Sequence, residues 1–335
     1  MAKLRIGVLY DYWWDEDEER VEGERPKKKS PDDDVQAVYE ALRKSGHSPV
    51  YVRLDGTRES LIDLARSQTD LLFNLVESFA GDDKQDTNVA GYLELLGRRF
   101  TGAGSSGLYL AQDKALAKKI FTFHGIHTPY FTTVYRGRIE NSSDIQFPVI
   151  VKPAREDGSI GIQFGAVCTS IKELMERIDY IHAEFDSPAL IEEYIEGREL
   201  YVGVLGNDKP EALPVVELDL SKLPEGTPKI AGSEVKWEED TQAYKTTKPF
   251  FPDDLGEETV KKLHDTAIQA FQALQLRDYG RIDFRLSPDG MVHILEVNPN
   301  PYLHPTAEFV MAAKKSGRSF TDTVGEIADL AMRRG

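Results

Sequence analysis

The run YGRIDFRL-SPDG-MVHILEVNPN, residues 279–300, reads as two strands joined by a tight turn. Pro presets φ, Asp bonds its own backbone and Gly tolerates φ > 0, so Pro288-Asp289-Gly290 is turn chemistry. Side chains alternate across a strand, so Ile282, Phe284 and Leu286 point one way and Arg281 and Asp283 the other. With Pro288 and Asp289 as the central turn residues, Ser287 faces Gly290 and Arg281 faces Glu296. That register predicts one face bearing Arg281, Asp283, Glu296 and Asn298. On the opposite, core-forming face Met291, Leu295 and Val297 join Ile282 and Phe284. The charged face has two readings. It is either a solvated surface or a site for a hard cation, since Mg²⁺ takes carboxylates together with substrate phosphates. The second reading also accounts for Glu296-Val297-Asn298 running abruptly into Pro299-Asn300-Pro301.

At 335 residues the chain has room for two or three domains, and a hydrophobic content of 40% supports a core. The net charge of −16 speaks against non-specific nucleic-acid binding. No run approaches the ~18 apolar residues of a membrane span, and the acid-rich start MAKLRIGVLYDYWWDEDEE does not read as a signal peptide. The only cysteine, Cys168, lies in an apolar stretch and reads as a buried small residue, so a reducing, cytoplasmic setting is expected.

Upstream, strands and helices alternate. Residues 4–10 (LRIGVLY) predict a buried strand, and 11–31 a polar, acid-rich loop carrying Tyr12, Trp13 and Trp14. A helix capped within Asp32–Asp34 and ended at Gly46 follows, then strands at 49–54 and 70–76 and helices near 61–65 and 88–96. This alternation implies a parallel, doubly wound sheet. Further on, 112–125 predicts a lysine-rich helix, 147–153 (FPVIVKP) a strand ending at Lys152, and 155–161 (REDGSIG) a small-residue loop. A lysine at a strand end before such a loop can hold an anion, although the Walker order is absent and a surface turn reads equally well. Strands at 165–169, 189–193, 199–206 and 213–219 follow, with 222–254 irregular and polar; helices are expected at 170–180, 257–274, 307–315 and 321–333.

In this order, these stretches resemble the ATP-grasp superfamily, and within it the D-alanine–D-alanine ligase-like carboxylate–amine ligases. The matching pieces are LELL at 93–96, FTGAG at 100–104, Asp113-Lys114, Val151-Lys152-Pro153, GSIG at 158–161, 192–199 (EEYIEGRE), EVKW at 234–237, Arg281-Ile282-Asp283 and LEVN at 295–298. The resemblance implies an α/β ATP-grasp fold, α+β in its C-terminal part. It would comprise an N-terminal Rossmann-like domain over 1–110 with a doubly wound parallel sheet, a central ATP-lid subdomain over 111–190, and a C-terminal antiparallel-sheet subdomain over 191–335.

The resemblance also implies roles. Lys114 and Lys152 would hold ATP phosphates, with the loop around Ser159 and Gly161 folding over them. Glu192, Glu193 and Ile195 would meet adenine, partly through backbone, and Glu199 the ribose. Lys236, on a mobile loop, would reach the γ-phosphate. Asp283, Glu296 and Asn298 would bind two Mg²⁺ ions, with Mn²⁺ an alternative, and Arg281 would stabilise a tetrahedral oxyanion. A carboxylate would attack the γ-phosphate to give an acyl phosphate, which an amine then attacks. The implied partners are small-molecule carboxylate and amine substrates, and related ligases are often homodimers. Both amino-acid pockets are rewritten. The Gly-Gly-x-Ser-x-Glu turn after the first strand is replaced by DYWWDE at 11–16, a tyrosine by Trp237, a serine by Gly158, and the acceptor-gripping serine by Ala307. The expected substrates are therefore amino-acid or dipeptide-like, with D-alanine–D-alanine ligation itself an alternative. A small-molecule kinase and a non-catalytic ATP-binding protein are the other readings, against which the retained Arg281 and the complete metal set weigh.

Overall fold

The computed structural model describes residues 3–12, 31–136, 138–139, 146–156, 158–185, 187–236, 238 and 240–334. Most of the acid-rich 11–31 stretch, including Trp13 and Trp14, and also Trp237 lie outside the described residues.

The chain begins with β1 (Arg5–Asp11), α1 (Asp33–Lys44), β2 (Ser48–Leu54), α2 (Arg58–Arg66), β3 (Leu71–Asn74), α3 (Asp86–Leu95) and α4 (Ser105–Gln112). The three strands form a parallel sheet ordered β2-β1-β3, as the alternation of elements predicted. β1 is buried along nearly its whole length, as expected of a strand covered on both faces. Asp32 caps α1 by position but makes no side-chain cap bond; Asp33 and Asp34 in the first turn and Arg43 and Lys44 in the last suit the helix dipole. Gly46, at φ +89°, takes the left-handed turn that ends it. α4 was not legible as a helix of its own.

The middle of the chain holds α5 (Lys114–Phe123), β4 (Phe131–Tyr135), β5 (Arg138–Ile139), β6 (Val149–Pro153), β7 (Val167–Cys168), α6 (Ile171–Glu184) and β8 (Ala189–Glu193). Its strands form an antiparallel sheet ordered β5-β4-β8-β6-β7. Cys168 is fully buried in the core between this sheet and α6, and burial pushes its thiol up.

The remainder comprises β9 (Arg198–Leu205), β10 (Glu211–Ala212), β11 (Val216–Leu218), α7 (Ser233–Lys236), α8 (Gln242–Thr246), β12 (Pro249–Phe250), α9 (Glu257–Ala273), β13 (Tyr279–Leu286), β14 (Val292–Asn298), α10 (Glu308–Lys315) and α11 (Phe320–Arg333). The strands form a sheet ordered β12-β11-β9-β13-β14, with β10 on β9. One core runs from α3, α4 and α5 into β9, β13 and α9; another joins α1, β1 and β3 to α10 and α11. No helix among the described residues is long and apolar enough to cross a membrane.

The hairpin register differs from expectation. Arg281 pairs with Asn298 and Asp283 with Glu296, but Phe284 pairs with Ile294, so a bulge falls between Asp283 and Phe284. A regular ladder continued from Phe284 and Ile294 would set Leu295 opposite Asp283. The bulge absorbs Leu295 and brings Glu296 there instead. The charged face therefore holds all four expected residues, whereas the core face is corrected. Val292, Ile294 and Val297 are buried in it, while Met291 is exposed and Leu295 half-buried.

Candidate active site

β13 is central in its sheet, paired to β9 on one side and β14 on the other. Alternation puts Arg281, Asp283 and Arg285 on the face that also carries Glu199 and Tyr201, because Asp283 sits opposite Tyr201 and Arg285 opposite Glu199. Asp283 is only 3% exposed. Its two carboxylate oxygens accept from Arg281 Nε at 2.8 Å and Nη2 at 2.9 Å. Burial raises the Asp283 carboxyl above the usual carboxylate range, against the pull of Arg281 and with the push of Glu296. Burial opposes the charge of Arg281, but Asp283 first and Glu308 after it outweigh that and hold the guanidinium protonated. The guanidinium lies 4.9 Å from the Tyr201 ring centroid, and its Nη1 is 3.5 Å from Glu308 at the start of α10.

Cations face this wall. Lys114 opens α5, where Asp113 caps the helix by accepting from Leu116 N–H. Its ammonium lies 3.2 Å from Glu296 and donates to the Glu156 carbonyl at 2.7 Å. Burial pushes the Glu296 carboxyl up, yet Lys114, Lys152, Lys236 and Arg281 together hold it well below the usual range. Lys152 on β6 reaches a Glu192 oxygen at 2.6 Å, and Lys118, one helical turn after Lys114, reaches the other at 2.7 Å. Glu192 is thus a buried carboxylate between two ammoniums.

Two loops, at 155–164 and 229–236, are joined to each other. In the small-residue loop Ser159 and Gly161 have φ +65° and +70°. A Cβ at Gly161 would stand 2.7 Å from Pro153 and 2.9 Å from the Phe185 ring, so glycine is required there. The Ser159 hydroxyl donates to the Ala231 carbonyl at 2.9 Å, Ser233 N–H to the Ile162 carbonyl at 2.8 Å, and Phe164 N–H to Glu234 at 2.9 Å. Lys236 ends the one-turn α7 that follows, so the expected irregular stretch contains α7, α8 and β12.

The segment 194–197 belongs to no strand and links β8 to β9. Glu193 is exposed and turns to the face opposite Glu192; Ile195 is half-buried. Glu199 is buried, accepting from Tyr201 Oη at 2.9 Å and Arg285 Nη2 at 2.9 Å. Arg285 also donates to the carbonyls of Gly197 and Lys229, tying the turn before β9 to the loop that leads to Lys236.

The expected residues of the metal wall, Asp283, Glu296 and Asn298, come together with Arg281, Lys114 and Lys152. Among the described residues no group of three His, Cys, Asp or Glu side chains is placed to hold a metal. Two carboxylates directly opposite each other and one amide remain, and the buried amide nitrogen of Asn298 makes no hydrogen bond. Such a set fits a hard cation whose shell is completed by substrate oxygens. Lys118, Tyr201, Arg285 and Glu308 were not anticipated. Spacing carried a signal for three of them: Lys118 is i+4 from Lys114, and Tyr201 and Arg285 are i+2 from Glu199 and Asp283. Glu308 arrives from a separate helix, with no local signal.

A profile of the family described as D-ala D-ala ligase C-terminus matches residues 120–329. The chain is 33% identical over 305 residues to an uncharacterised protein of Sinorhizobium fredii, covering 89% of this chain and 87% of that one. It is 32% identical over 293 residues to the D-alanine–D-alanine ligase of Aquifex aeolicus, covering 87% and 92%. In fold it resembles the crystal structure of the Bacillus anthracis D-alanine–D-alanine ligase complexed with ATP, with a TM-score of 0.72, 20% identity and 98% of each chain covered.

Proposed function

The chain belongs to the D-alanine–D-alanine ligase family of ATP-grasp, ADP-forming ligases, and from that premise we propose that it joins a small-molecule carboxylate to an amine through an acyl phosphate, with amino-acid or dipeptide-like substrates. The observation that carries this reading is the convergence of Arg281, Asp283, Glu296 and Asn298 on one face of β13 and β14, with Lys114 and Lys152 reaching toward it.

The nucleotide lies between the two antiparallel sheets. The 192–195 segment meets adenine, Glu193 and Ile195 through backbone, and Glu199 the ribose. Lys114 and Lys152 exchange Glu296 and Glu192 for phosphate oxygens, while the joined loops bearing Ser159, Gly161 and Lys236 exclude water from the γ-phosphate. Asp283, Glu296 and Asn298 hold two Mg²⁺ ions, with Mn²⁺ able to replace them. These ions supply Lewis-acid polarisation of the phosphoryl oxygens. Arg281 is fixed by Asp283 and Glu308 and by its contact with the Tyr201 ring. It is a preorganised donor for the oxyanion formed when the amine attacks the acyl phosphate. Ala307 and residues 302–304 set the acceptor pocket apart from one built for D-alanine, and assembly as a homodimer is the accompanying expectation.

The test is purified protein with ATP, Mg²⁺ and a library of amino acids, D-alanine included, with ADP release and product mass both read. A condensed product of mass donor plus acceptor minus water supports the reading. ADP release with only a phosphorylated product shows a kinase, and ADP release with neither product counts against ligation.

A further inference from the structure

Lys118 has no place in the mechanism above, yet it is completely buried and bonded on both sides. Its ammonium lies 2.7 Å from Glu192 Oε1 and donates to Thr128 Oγ1 at 2.7 Å, and the Thr128 hydroxyl donates to the Ile294 carbonyl of β14 at 3.1 Å. Lys118 is 0% exposed and Glu192 1%. Lys118 stands behind Glu192, spends its ammonium on Glu192 and Thr128, and has no assigned contact with the nucleotide. What it changes is charge. Glu192 is shared between Lys118 and Lys152, so the three buried groups together carry one net positive charge. Lys114 contributes none beyond this, because Glu296 balances it. Without Lys118, Lys152 would be the sole counter-charge of a buried carboxylate. Moving Lys152 off Glu192 would then leave a buried carboxylate uncompensated, which is strongly unfavourable, so Lys152 would stay on Glu192 and its charge would be lost to an anion.

We propose that Lys118 is a positioning residue that neutralises Glu192 from behind and thereby frees the Lys152 charge for the nucleotide's phosphates. This rests on the nucleotide-site reading above. It makes Lys118 selective for the phosphate end of the ligand, whereas a packing role would affect the whole ligand and the fold alike. Burial drives its pKa down to about 8 against the attraction of Glu192, which matches a cation placed where only an adjacent carboxylate justifies it.

The experiment compares ATP and adenosine affinities by calorimetry for the wild type, Lys118→Met, Lys118→Arg, Glu192→Gln and the double variant Lys118→Met/Glu192→Gln. Lys118→Met is expected to lose about tenfold or more in the ratio of ATP to adenosine affinity. Lys118→Arg should keep the ratio. Glu192→Gln should raise it, and the double variant, which again carries one net charge, should restore it to the wild-type value. Where Lys118→Met alone does not fold, the fall in the ratio from Glu192→Gln to the double variant reads the same charge. Equal losses for ATP and adenosine, or a double variant no better than Lys118→Met, overturn the inference while leaving the nucleotide site standing. A wild type that binds neither ligand overturns both.

Discussion

Asp283 is pulled in two directions. Burial and the carboxylate of Glu296 raise its carboxyl, while a bidentate Arg281 lowers it. That tension suits a ligand position, because a divalent cation relieves the repulsion that the protein leaves in place. Asp283→Asn or Glu296→Gln is expected to lower kcat at least about 100-fold, because hard-cation ligation is lost. Circular dichroism should show the fold retained, and turnover within a few-fold of wild type would remove both residues from the metal site. Lys118 adds a pH dependence whose sign follows from its depressed pKa. It faces Glu192 from β8, Lys152 from β6, and Glu296 and His293 from β14. It is charged below about 8 and neutral above, so the neighbouring net charge disappears as pH rises. The ratio of ATP to adenosine affinity should therefore fall roughly tenfold between pH ~7 and ~9, where the triphosphate is already ionised. A flat ratio across that range would remove the charge role of Lys118.

At the scale of elements, the loops at 155–164 and 229–236 are bonded together, Ser159, Ile162 and Phe164 to Ala231, Ser233 and Glu234. Glu234→Ala removes the acceptor of Phe164 N–H. KM for ATP is expected to rise about three- to tenfold, with kcat changed less, because one charge-assisted hydrogen bond holding the loops is lost. Initial-rate kinetics against ATP separate the two effects, and an unchanged KM would show the loops close independently. This pairing was invisible in the sequence because it joins residues about 70 positions apart through contacts with no periodicity. The hairpin was different. Its charged face was legible from alternation, β1 and the strand carrying Lys152 from their apolar runs, and α1 and α9 from helical periodicity. The bulge was the exception, although Ile294-Leu295, two adjacent apolar residues, interrupts the alternation where it falls. The interruption was readable as a change of face only once Phe284 and Ile294 were known to pair. Ligand roles rested on family resemblance, since Lys114 or Glu199 taken alone reads as any exposed lysine or acidic turn.

At the scale of the whole molecule, two of the side chains that join the N-terminal part of the chain to the sheet of β13 and β14 are of different kinds. Asp278 is fully buried, accepts from Gly102 N–H at 2.8 Å and Asn207 Nδ2 at 3.0 Å, and pairs with Arg334 at 3.0 Å. Asn300, two residues beyond Asn298, accepts from Ala103 N–H at 2.9 Å. The first is an anchor between these parts, the second a tether on the end of β14, the strand that carries the proposed metal ligands Glu296 and Asn298. Removing the anchor leaves a desolvated N–H and an arginine short of its partner, so Asp278→Ala should cost about 3 kcal/mol, read as a lower urea midpoint. Removing the tether leaves the N–H of the fully buried Ala103 without its acceptor, a cost of about 1–3 kcal/mol, and it lets the strand end shift relative to the loop of residues 101–104. A displacement of about 1 Å at a reacting centre can cost about 100-fold, so Asn300→Ala should lower kcat by at least about tenfold, with a smaller drop in urea midpoint than Asp278→Ala, which also strips Arg334 of its partner. The opposite assignment, with Asn300→Ala unfolding early and Asp278→Ala losing only activity, would mean that the strand end holds these parts together and that Asp278 belongs to the site.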